Sequence, residues 1–119
     1  MISCDVLEHV LDFKSALSSI YRVLMTDGVT IFTFPFIFDS ENHETRAIMH
    51  NGVRVDLLEP EFHGNPINPE AGSFCWRYYG WDIMQELQEI GFKDVKLFAA
   101  WSPENGYLGG PQIVIAATK

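Results

Sequence analysis

The sequence predicts an α/β fold in which a sheet carries helices, in the order β-α-β-loop-α-β-β with the last strand antiparallel. Three observations carry this expectation. Val29 to Phe36 (VTIFTFPF) is apolar on both alternations, as a strand covered on both faces must be. Residues 7–25 and 80–90 repeat their apolar side chains at the spacing of a helix facing a core. Residues 95–101 and 112–118 read as strands with only turn residues between them, so antiparallel neighbours are expected.

Taken in order, residues 1–6 form a very short apolar run in which Cys4 reads as a small buried hydrophobe. In residues 7–25, Val10, Phe13, Leu17, Ile20 and Leu24 make a stripe widened by Leu7, Ala16 and Tyr21. Asp27-Gly28 stops that helix, because glycine accepts the left-handed conformation found where helices end. Pro35 cannot donate a ladder hydrogen bond and marks the exit of the strand before it. Residues 37–79 then turn to Asn, Gly, Pro, His and Glu without a sustained period, a long irregular stretch of the kind that usually carries function. In residues 80–90, Trp81, Met84 and Leu87 form a core stripe, and Gly91 caps the end. Ser102-Pro103-Glu104-Asn105-Gly106 and Gly109-Gly110-Pro111 supply the last turns.

Composition narrows the function classes. A chain of 119 residues and 13.5 kDa is one small domain, read as a single unit over 1–119. A hydrophobic fraction of 47% is too high for disorder. Sixteen acidic against eight basic residues give a net charge of −8, which argues against nucleic acid and anionic membranes as partners. No apolar run approaches a membrane span and no signal segment opens the chain. Two distant cysteines, Cys4 and Cys75, do not make a disulfide scaffold. A cytoplasmic protein is the resulting expectation.

Several local sequences then converge. Asp5-Val6-Leu7-Glu8-His9-Val10, Ala16-Leu17, Tyr21-Arg22-Val23-Leu24 and Asp27-Gly28 are followed by Thr33-Phe34-Pro35-Phe36, Gly80-Trp81, Leu87 and Gly91-Phe92. In this order they resemble the C-terminal half of a class I S-adenosylmethionine-dependent methyltransferase, of the type 11-like group. Glu59-Pro60-Glu61-Phe62-His63-Gly64-Asn65-Pro66 and Gly72-Ser73 resemble a subgroup with a substrate loop at that point. The resemblance implies a doubly wound Rossmann-like sheet, S-adenosylmethionine as cofactor and a small-molecule acceptor. It also implies methyl transfer by in-line displacement at the sulfonium methyl. What it lacks is the family's first half, with the glycine-rich loop and the acidic residue for the ribose. No G-x-G occurs among the nine glycines. A chain holding only this half supplies one wall of the cofactor crevice. It is expected to bind cofactor weakly or not at all, to be a truncated form or half-domain, and to associate as a homodimer or with a partner chain. The alternative is a non-catalytic module derived from this fold, whose uncovered strand edge and sheet surface drive association.

Candidate residues follow. The resemblance places Asp5, Leu7 and His9 beside the cofactor; Asp5 also suits a helix N-cap, and His9 a solvated position next to Glu8 at the positive end of a helix. His43, His50 and His63 share the long loop with several carboxylates, but no compact ligand spacing appears, so no metal is expected. His63, within His63-Gly64-Asn65-Pro66, is the candidate general base that relieves an acceptor of its proton. Trp76, Tyr78, Tyr79 and Trp81 read as the aromatic packing that holds the loop to the sheet, and Tyr107 as either a pocket or a packing residue.

Overall fold

The computed structural model describes all residues from Met1 to Lys119. In chain order its elements are β1 (Ile2–Cys4), a 3-10 turn (Leu7–His9), α1 (Phe13–Val23) and β2 (Val29–Thr33). The long middle segment contributes β3 (Glu44–Thr45), β4 (Ala47–His50), β5 (Val53–Asp56), β6 (Phe62–His63), β7 (Ser73–Phe74) and β8 (Arg77–Tyr78). Then come α2 (Asp82–Ile90), β9 (Asp94–Ala100), a second 3-10 turn (Pro103–Asn105) and β10 (Gln112–Thr118).

Four strands make the main sheet, in the order β1-β2-β10-β9. The strand β1 runs parallel to β2, with Ser3 opposite Phe32. The last strand, β10, is antiparallel to both neighbours, placing Ile115 opposite Phe32 on one side and Leu97 on the other. Both helices cover one face of this sheet: Leu17 of α1 and Ile83 and Leu87 of α2 join Phe32, Ile113 and Ile115 in a single core. Each such buried side chain stabilises the fold by roughly 1.5–3 kcal/mol of transfer free energy. Burial along β2 and β10 therefore alternates instead of covering both faces, as the apolar run had suggested. The uncovered face carries Ile2, Ile31, Val114 and Phe98, and Ile2 is 70% exposed.

The structure corrects five expectations about these elements. The first helix does not run from residue 7: a 3-10 turn at Leu7–His9 is followed by extended Val10, and α1 starts only after Asp12. Asp5 is accordingly not the N-cap; Asp12 is, with its side chain accepting the Ser15 N–H at 3.0 Å. Helix α1 ends at Leu24, ahead of the Asp27-Gly28 turn, in which Asp27 takes the positive φ of 59°. Cys4 is exposed, because β1 is an edge strand with one neighbour. Trp81 is 42% exposed and outside the core: its Nε1 donates to the Phe38 carbonyl and its ring stands edge-on to Phe36. Gly91 does end α2, with a φ of 120° and the Tyr21 ring packed where a side chain would begin.

The middle segment is an insertion with its own geometry. It leaves and rejoins the sheet at one point, where Phe36 bridges Tyr79, and β3 pairs with β8 just beyond. The hairpins β4–β5 and β6–β7 extend from this neck. The Trp76 N–H donates to the Glu8 carbonyl at 2.8 Å, which pins the returning chain against the 3-10 turn after β1. No helix is long and apolar enough to cross a membrane.

Candidate functional site

The carboxyl ends of β1 and β2 are tied together. The Asp5 N–H donates to the Thr33 carbonyl at 2.9 Å, and the Thr33 hydroxyl donates to Asp5 Oδ1 at 3.2 Å. Asp5 takes a positive φ of 50°, turning the chain sharply out of β1 and into the 3-10 turn. Beside this junction lies a crevice of about 830 Å³, lined among others by Asp5, Glu8, Phe34, Phe36 and His63. In open α/β sheets this end of the strands is where ligands gather.

The tight turn swings Glu8 inward. It is 0% exposed, and neither carboxylate oxygen has a hydrogen-bond partner on another residue. Two imidazoles face its Oε1: His9 Nε2 at 3.6 Å and His63 Nδ1 at 3.6 Å. Their rings meet edge to face with centroids 4.9 Å apart. His9 Nδ1 lies 2.8 Å from the Phe74 carbonyl, which can only accept, so that nitrogen carries the proton and Nε2 presents a lone pair. His63 Nε2 lies 3.4 Å from Glu61, which favours a proton there and a bare Nδ1. Glu61 in turn accepts from the Tyr78 hydroxyl and pairs with Arg46 at 3.2 Å.

Electrostatics follow from these neighbours. Burial pushes the Glu8 carboxyl above its ordinary range, against the smaller pull of the two histidines. The Tyr78 hydroxyl, helped by Arg46 and His63, holds Glu61 below its own. Burial raises the nearby Cys75 thiol to about 11, so it is no nucleophile.

Of the residues singled out in the sequence, Asp5 and His63 line the crevice and His9 flanks Glu8. Leu7 has its side chain in the core, and its carbonyl accepts from the Tyr79 hydroxyl at 2.9 Å. His43 and His50 lie elsewhere: His43 sits against Asp82 and Glu86 of α2, and His50 is exposed in β4. Tyr107 is exposed near the second 3-10 turn. Sequence reasoning gave Glu8 chiefly to the positive end of a helix, with a lesser part beside the cofactor, and missed its burial and the gathering of ligand atoms of Glu8, His9 and His63 within 4.8 Å of one another. The adjacent Glu-His pair was the one available signal, and nothing in it pointed to His63.

No family model matches the chain, and no curated protein sequence matches it. Solved structures do. A crystal structure of an S-adenosylmethionine-dependent methyltransferase from Mesorhizobium loti matches with a TM-score of 0.56 at 13% identity, over 99% of this chain and 60% of that one. A Listeria monocytogenes protein assigned to the same activity matches with a TM-score of 0.53 at 16% identity, over 99% of this chain and 59% of that one. At such identities the likeness is one of fold, and the chain spans about three fifths of the length of these neighbours.

Proposed function

We propose that this chain forms the acceptor-side wall of an S-adenosylmethionine-dependent methyltransferase acting on an oxygen or nitrogen nucleophile of a small molecule. The observation that carries the reading is His63, held in a crevice at the carboxyl ends of the parallel strands and bracketed by two carboxylates. The fold likeness to two methyltransferases supports it.

On this reading His63 Nδ1 takes the proton of the acceptor, and Glu8 and Glu61 stabilise the imidazolium that forms. Phe34 and Phe36 supply apolar walls that strip water from the nucleophile. Asp5, His9 and the backbone at Leu7 face the cofactor side. The residues present do not complete a cofactor site. The outer edge of β1 has no neighbouring strand, and no glycine-rich turn stands beside it to offer converging N–H groups.

Amide chemical shifts recorded during titration with S-adenosylhomocysteine test this reading. Shifts that concentrate at Asp5–His9 and Thr33–Phe36 and stay unsaturated up to roughly millimolar ligand are expected. Shifts that concentrate elsewhere on the chain, or tight saturable binding by the chain alone, would remove it.

One observation favours a second reading, a module that works by association. The unpaired edge of β1 and the uncovered apolar sheet face, with Ile2 and Phe98 exposed, suit a second copy of the chain. Sedimentation across a dilution series would show concentration-dependent dimers; a monomer throughout would dismiss this reading.

A further inference from the structure

We propose that Glu8 Oε1, His9 Nε2 and His63 Nδ1 form a binding site for one divalent first-row transition-metal ion, with an open coordination position facing the crevice. Three features of the cluster point there independently of methyl transfer. The first is the unpartnered carboxylate: Glu8 is fully buried, and both its oxygens lack a hydrogen bond to any other residue. A buried anion left so is costly unless a cation stands beside it. The second is distance. At 3.6 Å each, the two nitrogens are too far from Oε1 to share a proton in a normal hydrogen bond. Ligand atoms about a tetrahedral ion with bonds of about 2.0–2.2 Å stand about 3.3–3.6 Å apart, close to the two gaps from Oε1, and the three atoms lie within 4.8 Å of one another.

The third feature is the support behind the two rings. His9 is oriented by the Phe74 carbonyl at 2.8 Å and His63 by Glu61 at 3.4 Å, each through the nitrogen that does not face Glu8. Metal-bound histidines are held in this way by carbonyls and carboxylates that fix the tautomer. Arg46 and Tyr78 hold Glu61 in its turn. Two imidazoles and one carboxylate suit zinc, cobalt or iron better than magnesium or calcium, which prefer all-oxygen sets. Glu8 and His63 both line the crevice, so the position left open by three protein ligands is reachable from solvent. An ion there occupies the Nδ1 lone pair that proton acceptance requires. Metal and the base role therefore exclude one another at His63, and metal binding silences the base.

Cobalt(II) is a suitable probe, because its visible d–d absorption reports tetrahedral nitrogen and oxygen ligation directly. Titrating the chelator-treated chain should give saturable one-to-one binding that zinc(II) displaces. Glu8→Gln and His63→Ala should each weaken binding roughly 100-fold or more, and the outer-shell change Glu61→Gln roughly 10-fold. His50→Ala, in an exposed hairpin, should leave affinity unchanged. Thermal melts establish that each variant is folded, and the near-isosteric Glu8→Gln keeps the test decisive if His63→Ala is not. Absence of saturable binding, affinity indifferent to Glu8→Gln, or a loss with His50→Ala comparable to the others would overturn the proposal.

Discussion

Two histidine clusters about the neck of the insertion are built from the same side chains and do opposite work. At the first, His43 Nδ1 touches Asp82 Oδ1 at 2.8 Å, its backbone N–H donates to Asp82 Oδ2 at 3.0 Å, and its Nε2 lies 3.4 Å from Glu86. Lys14 of α1 closes on Glu86 at 2.7 Å, and Phe13 and Tyr79 meet the imidazole edge to face. The contacts are direct, so this cluster clasps the insertion to both helices. At the second, Glu8, His9 and His63 are close but do not touch. In the first cluster each carboxylate has one oxygen met directly, Asp82 by the His43 N–H and Glu86 by Lys14, while His43 Nδ1, Asp82 Oδ1 and Glu86 Oε2 make no aligned hydrogen bond; in the second neither oxygen of Glu8 is met at all. Proximity of histidine to carboxylate is thus not itself a functional signature, whereas an unmet buried carboxylate is one.

The contrast can be broken from either side. The largest effect is expected at the clasp. His43→Ala leaves Asp82 and Glu86 without their shared partner and should cost about 2–3 kcal/mol, reduced from a fully buried case because Asp82 is partly exposed. Urea unfolding would measure it, and a loss well under 1 kcal/mol would mean that the clasp is decorative.

The opposite sign is expected next, at the crevice. Glu8→Gln removes an uncompensated buried charge, and its amide can donate to the bare nitrogens, so the chelator-treated variant should gain about 1 kcal/mol. A destabilised Glu8→Gln would show that the carboxylate already has a partner in the folded chain.

Smaller in energy but clear in readout is thiol reactivity. Exposed Cys4 should react with an aromatic disulfide reagent in the folded protein, while Cys75, buried and raised to about 11, should wait for denaturant. Rapid modification of both would mean that the insertion opens readily.

The smallest effect concerns the cap of α1. The Ser15 hydrogen bond lowers the Asp12 carboxyl below its ordinary 3.8. A depressed folded value contributes stability above 3.8 that is lost as pH falls through that lower value. Asp12→Ala should therefore lower the melting temperature slightly at neutral pH, and its difference from the parent chain should shrink as pH falls below 3.8. An unchanged melting temperature would assign the cap elsewhere.

Much of the sheet was legible in the chain. The run VTIFTFPF, the period in residues 80–90 and the turn residues between the last two strands each reflect neighbours close in sequence. What misled was the first helix: Leu7 and Val10 keep the helical spacing, yet Leu7 packs from a 3-10 turn and Val10 is extended. The two-residue strands of the insertion were invisible, because β6 pairs with β7 and β3 with β8 across long separations without any period of their own. His63 stood out from its local sequence, but its meeting with Glu8 depends on the insertion folding back, fixed by the Trp76–Glu8 backbone bond. Such a meeting is a property of the path and not of any local pattern.

The open state of the crevice cluster can be read directly from its two imidazole tautomers. Long-range proton–nitrogen correlation spectra of the chelator-treated chain, at a pH of about 7.5, report which ring nitrogen carries hydrogen. His9 protonated at Nδ1 and His63 at Nε2, with both remaining nitrogens bare, is the expected result. The reverse tautomer at either ring, or a ring protonated on both nitrogens, would mean that Glu8 is already satisfied and the site closed.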